Sequence, residues 1–389
     1  MAQEQPITPQ LVPAQAQPLP TQNNPGLADL QVDDDLEDDG VYTASEASAS
    51  FVSSINSSVF RYKYENGRRY HAFREGAYLV PSRQLICVCT WKPNDDEEQD
   101  RMDLAHHIYG LLLGGELHLA PIGDNPQRVL DLGTGTGIWA MDFADQYPSA
   151  EVIGTDLSPI QPKWYGIPAL TPPNCTFEVD DFEQDWVYRK RFDYIHAREL
   201  GGCIADDGKL FSRAFEHLAP GGYLEMQAVY PRFLSDDDTD KLAKDAQYWM
   251  TNICEGAAKF GKPLDSVPQW LDKMQAAGFV EVKQEIRKVC PQFTRSTRCL
   301  ISWNPMLNNT QIPFGSWPKD PTLKEIGRHS IIQEKQLIDS YTPGIFSRVL
   351  GWDQTEIQVL IARVKNDLNN PAIHLYVPTH FIWGKKPEE

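Results

Sequence analysis

The chain has 389 residues, 41% of them hydrophobic, and a formal charge of −18 at neutral pH, enough for one large packed domain or two modest ones. So acidic a surface repels phosphate backbones and carries no compensating basic patch, which argues against direct nucleic-acid binding. No apolar run approaches the roughly 18 residues of a membrane span, the first thirty residues lack the apolar core of a secretory leader, and seven scattered cysteines without a framework read as reduced thiols, so a soluble, intracellular protein of cytoplasm or nucleus, without membrane contact, is expected.

Residues 1–58 pass from Gln and Pro through Asp to Ser and hold nine acids against no Lys or Arg, half of the net charge. Such a segment cannot bury enough apolar surface to offset its ordering entropy and reads as a disordered acidic tail. The folded domain is expected over 59–389. From Phe60 onward Tyr62, Tyr64, Tyr70, Phe73 and Tyr78 interleave with Arg61, Lys63, Arg68, Arg69 and Arg74. Interleaving of this kind can bind nucleic acid, but the run is short and flanked by acids, so an N-terminal helix packed on the domain is expected. Apolar positions at Met102, Leu104, Ala105, Ile108, Leu111 and Leu112 predict a helix over 101–119. His106 and His107 are neighbours that diverge on such a helix, so no metal site is read there.

A strand–helix alternation then begins. Strands are predicted at 128–132, 151–155, 175–179, 192–196 and 222–228, with helices at 139–146 and 210–217, a pattern of parallel sheet covered by helices. Helices at about 239–259 and 267–277 and a strand at 279–289 follow. The last strand is expected at 372–384, where Pro378 suits an edge or a bulge. Residues 291–371, with helices at 321–341 and 353–368, read as a lid inserted into the sheet domain.

The strongest signal is Val129-Leu130-Asp131-Leu132-Gly133-Thr134-Gly135-Thr136-Gly137-Ile138-Trp139. An apolar strand runs into three alternating glycines and then a helix, as a tight turn closely approached by a ligand requires. The next strand ends in Asp156, where a carboxylate can accept from a ribose diol; capping before Ser158-Pro159 is its plainer role. Asp180-Asp181-Phe182 follows the third strand, where an adenine amino group needs an acceptor; a solvated loop is the alternative. Dinucleotide sites favour a third small residue where Ile138 stands, and no Lys-Ser ending marks a phosphate loop. S-adenosylmethionine fits instead, with its adenosine held by acids and its amino-acid end over the glycines.

VLDLGTGTGIWA, VIGTDLSPIQP, FEVDDFEQDW, FDYIHAREL and HLAPGGYLEMQ resemble the successive motifs of the fungal LaeA-like methyltransferases. YENGRRYHAFREGAY and PNDDEEQDRMDLAHH upstream, and GSWPKDPTLKEIGR, RVLGWDQTEIQVLIARV and HLYVPTHFIWGKKP downstream, extend the resemblance over nearly all of 62–387. It implies the class I methyltransferase fold, a doubly wound, Rossmann-like α/β sheet of seven strands with the last antiparallel. It assigns Asp131, Gly133, Gly135 and Gly137 to the methionine side of S-adenosylmethionine, Asp156 to the ribose, and Asp181 and Phe182 to the adenine. His196, at the end of the fourth strand, faces the donor in this fold and serves as base or lines the methionine pocket, with a polar wall residue bonded to backbone as the equal alternative, while Arg198 reads as the ion-pair partner of Glu199 or another nearby acid. Phe314, Trp303, Trp317 and Tyr341 are candidates for an apolar acceptor pocket or for core, and no catalytic residue is assigned. The implied activity is methyl transfer to a small-molecule or protein acceptor in fungal secondary metabolism; the alternative is a regulator that binds the cofactor and partner proteins with little turnover. Two departures stand out. Glu225-Met226-Gln227-Ala228 lacks the second acid of the usual E-x-Q-E, and Val80–Lys92 splits Glu75-Gly76-Ala77-Tyr78 from Pro93-Asn94-Asp95, as a retained intron or a lineage-specific loop would.

Overall fold

The computed structural model describes residues 62–65, 68–71, 92–162, 171–285 and 311–388. The acidic tail, the 80–92 segment apart from Lys92, Trp303 and the first part of the expected lid lie outside the described residues. Strands β1 (Tyr62–Glu65) and β2 (Arg68–His71) pair antiparallel with Glu65 opposite Arg68. The helix expected there is corrected: aromatic and basic residues alternate with the period of a strand, and Asn66-Gly67, the pair between the strands, favours tight hairpins. Helix α1 spans Asp96–Leu113 and so starts earlier than its apolar spacing suggests. Its start is set by Asp95, whose side chain accepts from the Glu98 backbone N–H at 3.1 Å, and by acids in the first turn that complement the helix dipole.

The alternation follows as β3 (Arg128–Leu132), α2 (Ile138–Gln146), β4 (Glu151–Asp156), β5 (Cys175–Val179), β6 (Phe192–Arg198), α3 (Asp207–His217) and β7 (Leu218–Val229). Then come α4 (Lys244–Lys259), α5 (Trp270–Ala276), β8 (Val280–Glu285), β9 (Gln311–Pro313), α6 (Pro321–Arg348), α7 (Gln354–Asn369) and β10 (Tyr376–Lys385). The main sheet runs β5-β4-β3-β6-β7-β10-β8, with β9 added along β10. Strands β3 to β7 are parallel, and β10 is antiparallel to both neighbours. Successive strand residues serve opposite faces. Val129, Val152, Tyr194 and Phe381 pack with α1 and α2, while Leu130, Ile153, Ile195 and Ile382 pack with α3 and α5. Pro378 lies opposite Gln311 of β9, just before Thr379 opens the ladder to β7, so its missing N–H costs that ladder nothing.

A third core lies within a helical layer, where Ile108 of α1, Trp249 and Ile253 of α4, Ile338 and Ile345 of α6, and Ile357 and Ile361 of α7 are buried together. The layer therefore draws on α1 and α4 as well as on the expected insertion, because the apolar stripes of α6 and α7 need further surfaces to cover them. No helix among the described residues is long and apolar enough to cross a membrane.

The layer is tied to the sheet through β9. The Phe314 N–H donates to Leu375 O at 2.9 Å, and the Gly315 N–H donates to Gly327 O of α6 at 2.9 Å. A side chain on Gly327 would overlap the Gly315 carbonyl, whereas Gly110 of α1 has open space around it. Gly327→Ala is expected to cost about 1–3 kcal/mol, seen as a lower urea midpoint, while Gly110→Ala, as control, leaves stability unchanged or raises it by up to about 1 kcal/mol.

Candidate functional site

The order of the parallel strands reverses between β3 and β6, and a crevice opens at their carboxyl ends, as expected of such sheets. The turn from β3 into α2 holds Gly133, Gly135 and Gly137 at φ of 64°, 58° and 84°, a left-handed conformation that costs other residues dearly. The three glycines do different work. A side chain on Gly133 would overlap Leu200, one on Gly137 would meet the Phe177 ring, and one on Gly135 would touch only the Met102 sulfur, at 3.0 Å. Gly135 thus presents bare backbone to the crevice, while Gly137 lets α2 settle on β5.

Asp131 and His196 are opposite one another in the β3–β6 pairing. Asp131 Oδ1 lies 2.7 Å from His196 Nδ1, and Oδ2 accepts from the Thr134 hydroxyl at 2.6 Å. The imidazole stacks on Trp139 at 3.7 Å between centroids and 7° between planes. Burial pushes the histidine below its ordinary pKa, with Asp131 opposing the shift, so the ring is neutral near pH 7. Its Nδ1–H then faces the carboxylate, which leaves a lone pair on Nε2, buried and without a partner among the described residues.

At the end of β4, Asp156 accepts from the Gly135 N–H at 2.9 Å and from the Ser158 N–H at 2.8 Å. It therefore closes its own turn and pins the glycine loop at once. Burial raises its pKa to about 6. Asp131, Gly133, Gly135, Asp156, Phe182 and His196 all line one cleft. Gly137 and Asp181 stand behind its wall; Asp181 accepts from the Glu183 N–H at 3.0 Å and caps the loop after β5. The opposite wall comes from Asn94, Arg101, Met102 and Tyr341, with Asn94 donating to the Ser158 hydroxyl at 3.2 Å. In the sequence, that wall is signalled by the PNDDEEQDRMDLAHH stretch, which holds Asn94, Arg101 and Met102, and by Tyr341.

A second, mostly apolar cavity adjoins the cleft, and Lys92, Ala105, Glu199 and Tyr341 line both. Phe314 and Tyr341 line it and also belong to the core of the helical layer, whereas Trp317 packs against His374 with ring centroids 5.3 Å apart. The Arg198 guanidinium goes to Gln227 Oε1 at 2.8 Å and to His106 Nδ1 at 3.1 Å and lies 4.5 Å from the Tyr109 ring centroid, so its hydrogen-bond partners are an amide and an imidazole rather than the expected acid. Glu225 is fully buried and accepts from the Ala120 N–H at 2.7 Å and the Tyr194 hydroxyl at 3.1 Å, a structural post between sheet and linker. His106 lies 2.9 Å from Asp142, and His107 meets the His329 ring edge-on.

Residues 104–284 match a methyltransferase domain family. The methyltransferase pytC of Aspergillus terreus is 36% identical over 342 residues, 87% of this chain and 92% of that protein. The secondary metabolism regulator LAE1 of Cochliobolus heterostrophus is 30% identical over 84% of this chain and 95% of that protein. The protein-methionine methyltransferase laeA of Emericella nidulans is 31% identical over 87% and 80%. The chain belongs to the LaeA-like methyltransferases. Its sheet order is that of the class I fold, and the cofactor of this LaeA-like methyltransferase is S-adenosylmethionine. The cleft suits that molecule on its own terms: Nε2 of His196 lacks a donor among the described residues, Gly135 brings no side chain to the wall, and Asp156 is a buried acceptor.

Removing the His196 ring would strip Trp139 of its stack and leave the Asp131 carboxylate, itself 3% exposed, with Thr134 as its side-chain partner. His196→Ala is expected to lower the unfolding free energy of the ligand-free LaeA-like methyltransferase by about 3 kcal/mol in urea titrations.

Proposed function

We propose that the cleft holds S-adenosylmethionine through the residues that line it, and that the adjoining cavity holds a small-molecule methyl acceptor. The shared wall of the two spaces, Lys92, Ala105, Glu199 and Tyr341, supports this reading. Gly133, Gly135 and His196, with Asp131 behind the ring, would hold the methionine end; the lone pair of His196 Nε2 matches the ammonium donor there. Asp156 would take the ribose hydroxyls and Phe182 the adenine face. Gly137 and Asp181 would act from behind the wall, by shaping the two loops. The bound cofactor supplies a sulfonium methyl that is already activated. The protein's part is to align the acceptor and exclude water, and the buried aromatic and aliphatic walls of the second cavity suit both tasks.

A role in fungal secondary metabolism is supported by the relatives whose names are secondary metabolism regulators. A regulatory reading, with protein partners and little turnover, is favoured by the relatives named as secondary metabolism regulators; the apolar cavity favours a small acceptor. The free thiols of Cys175, Cys203 and Cys254 suit an intracellular location, in cytoplasm or nucleus.

Asp156 provides the test. Its folded pKa is raised, so the ligand-free chain binds an extra proton between the ordinary carboxylate range and pH 6. The associated stability is fully present below that range and is lost as pH rises through about 6. Ribose hydroxyls donate to the ionised form, so cofactor binding runs the other way. In calorimetric titrations the wild type is expected to lose affinity for S-adenosylmethionine as pH falls below about 6, approaching roughly tenfold per pH unit. Asp156→Asn should bind about tenfold or more weakly at pH 7.5 and with a flat profile. A wild-type affinity constant from pH 5 to 8, or a variant that binds like the wild type, would sink the assignment.

A further inference from the structure

We propose that Glu199 takes the proton of the methyl acceptor, and that the acceptor is an uncharged, largely apolar molecule presenting a single O–H or N–H group to this carboxylate. The proposal rests on the reading of the two cavities given above, and it adds a residue and a substrate class to it.

Glu199 directly follows β6 and lines both the cofactor cleft and the second cavity. Its backbone stands at φ 56°, in the left-handed region that a glutamate rarely enters, and strain of this kind persists only where the surroundings impose it. The side chain is held in place: Oε1 accepts from the Tyr109 hydroxyl and from the Val229 N–H at 3.0 Å. Both bonds fall on one oxygen, and Oε2 accepts none from the described residues. A carboxylate is thus fixed at the boundary of the two spaces with half of its accepting capacity unused.

The rest of the wall describes the ligand. Ile108, Trp249, Met250, Leu337 and Val377 make it apolar. Lys92, whose ammonium donates to Gly201 O at 2.8 Å, and Glu199 contribute one charge of each sign. Glu334 is buried on the same wall, and burial pushes its carboxyl to about 8, so it is mostly neutral at pH 7. The wall has no net charge to offset an ionised ligand, and burying an unpaired charge is costly. His196, the other candidate base, lines only the cofactor cleft and already gives Nδ1 to Asp131.

The balance of the step is simple. The acceptor oxygen or nitrogen donates its lone pair to the methyl carbon, the carbon–sulfur bond breaks with its electrons left on sulfur, and the released proton passes to Glu199. The positive charge of the sulfonium and the negative charge of the carboxylate disappear together.

The test uses the full chain saturated with S-adenosylhomocysteine and the probe 2-naphthol, whose hydroxyl becomes strongly acidic on excitation and reports a neighbouring proton acceptor by naphtholate emission. Excitation beyond the tryptophan band isolates the probe. The wild type is expected to bind 2-naphthol and to emit as naphtholate. Glu199→Gln keeps the shape and the bonds on Oε1, and should bind the probe within about tenfold of wild type yet emit as neutral naphthol. Leu337→Trp, which fills the cavity, should weaken naphthol about tenfold or more while S-adenosylhomocysteine affinity stays within about twofold. Neutral emission from the wild type, naphtholate emission that survives Glu199→Gln, or no naphthol binding by cofactor-saturated wild type would each overturn the proposal. Failure of the wild type to bind S-adenosylhomocysteine would instead overturn the cofactor reading on which it rests.

Discussion

A buried carboxylate joins the two strands between which the sheet reverses its order. Asp131 is 3% exposed and is placed by the β3–β6 register directly opposite His196. One oxygen takes the imidazole and the other the Thr134 hydroxyl, so a single side chain fixes both the adjacent strand and the entry to the glycine turn. The histidine ring is in turn held against Trp139, whose indole N–H donates to Leu117 O at 3.1 Å. Strand, turn, helix and the linker after α1 are all referred to one charged group. Burying such a group is poor economy for stability alone. What it provides is a defined crevice, with a neutral imidazole whose remaining lone pair has no protein partner.

Asp156 carries the same logic to the next strand. It bonds the Gly135 and Ser158 amides, and burial raises its pKa toward the working range. The fold therefore keeps a carboxylate where ionisation is disfavoured, beside a glycine that adds no side chain to the cleft. Conflict between local stability and placement is typical of binding sites.

The parallel sheet was legible because β3 and β4 are short apolar runs closed by glycine or acid, and every strand predicted from β3 to β7 is present. The hairpin was not legible as such: four-residue strands carry too few alternations to outweigh a helical reading, although Asn66-Gly67 was a usable signal. The start of α1 was missed because its first turn is all acid and is defined by the Asp95 cap rather than by apolar spacing. In the cleft, a shared motif could not separate Gly135, which lines the cleft beside the Met102 sulfur, from Gly137, which faces Phe177. Nor could it show that Phe182 lines the wall while Asp181 caps a loop. The second cavity was the least legible feature. Its lining comes from α1, the ends of β6 and β7, α4 and α6, brought together by tertiary packing alone. The absent second acid of E-x-Q-E gains meaning only there, because Ala228 lines that cavity and keeps its wall apolar.

Helix α1 is the element on which both spaces depend. Met102 and Ala105 face the cofactor cleft, Ala105, Ile108 and Tyr109 face the second cavity, and the steps of three and four residues put them along one side of the helix. Its position is set at the N-terminal end. Arg68 of the hairpin grips Asp95 through two bonds of 2.6 Å and reaches the Ser340 hydroxyl of α6 at 2.9 Å. Burial alone would raise the Asp95 pKa, but the guanidinium outweighs it and holds the carboxyl below the usual range. Downstream, Arg101 pairs with the fully buried Glu98 at 2.7 Å and reaches the Tyr341 hydroxyl. The hairpin and α6 thus bear on the same helix, and that helix carries Ala105 and the hydroxyl of Tyr109 to Glu199. A shift of α1 would move the cofactor wall, the acceptor wall and the carboxylate's anchor together. That shared dependence explains why a small hairpin, remote from the glycine turn, is bonded so firmly to the rest of the protein.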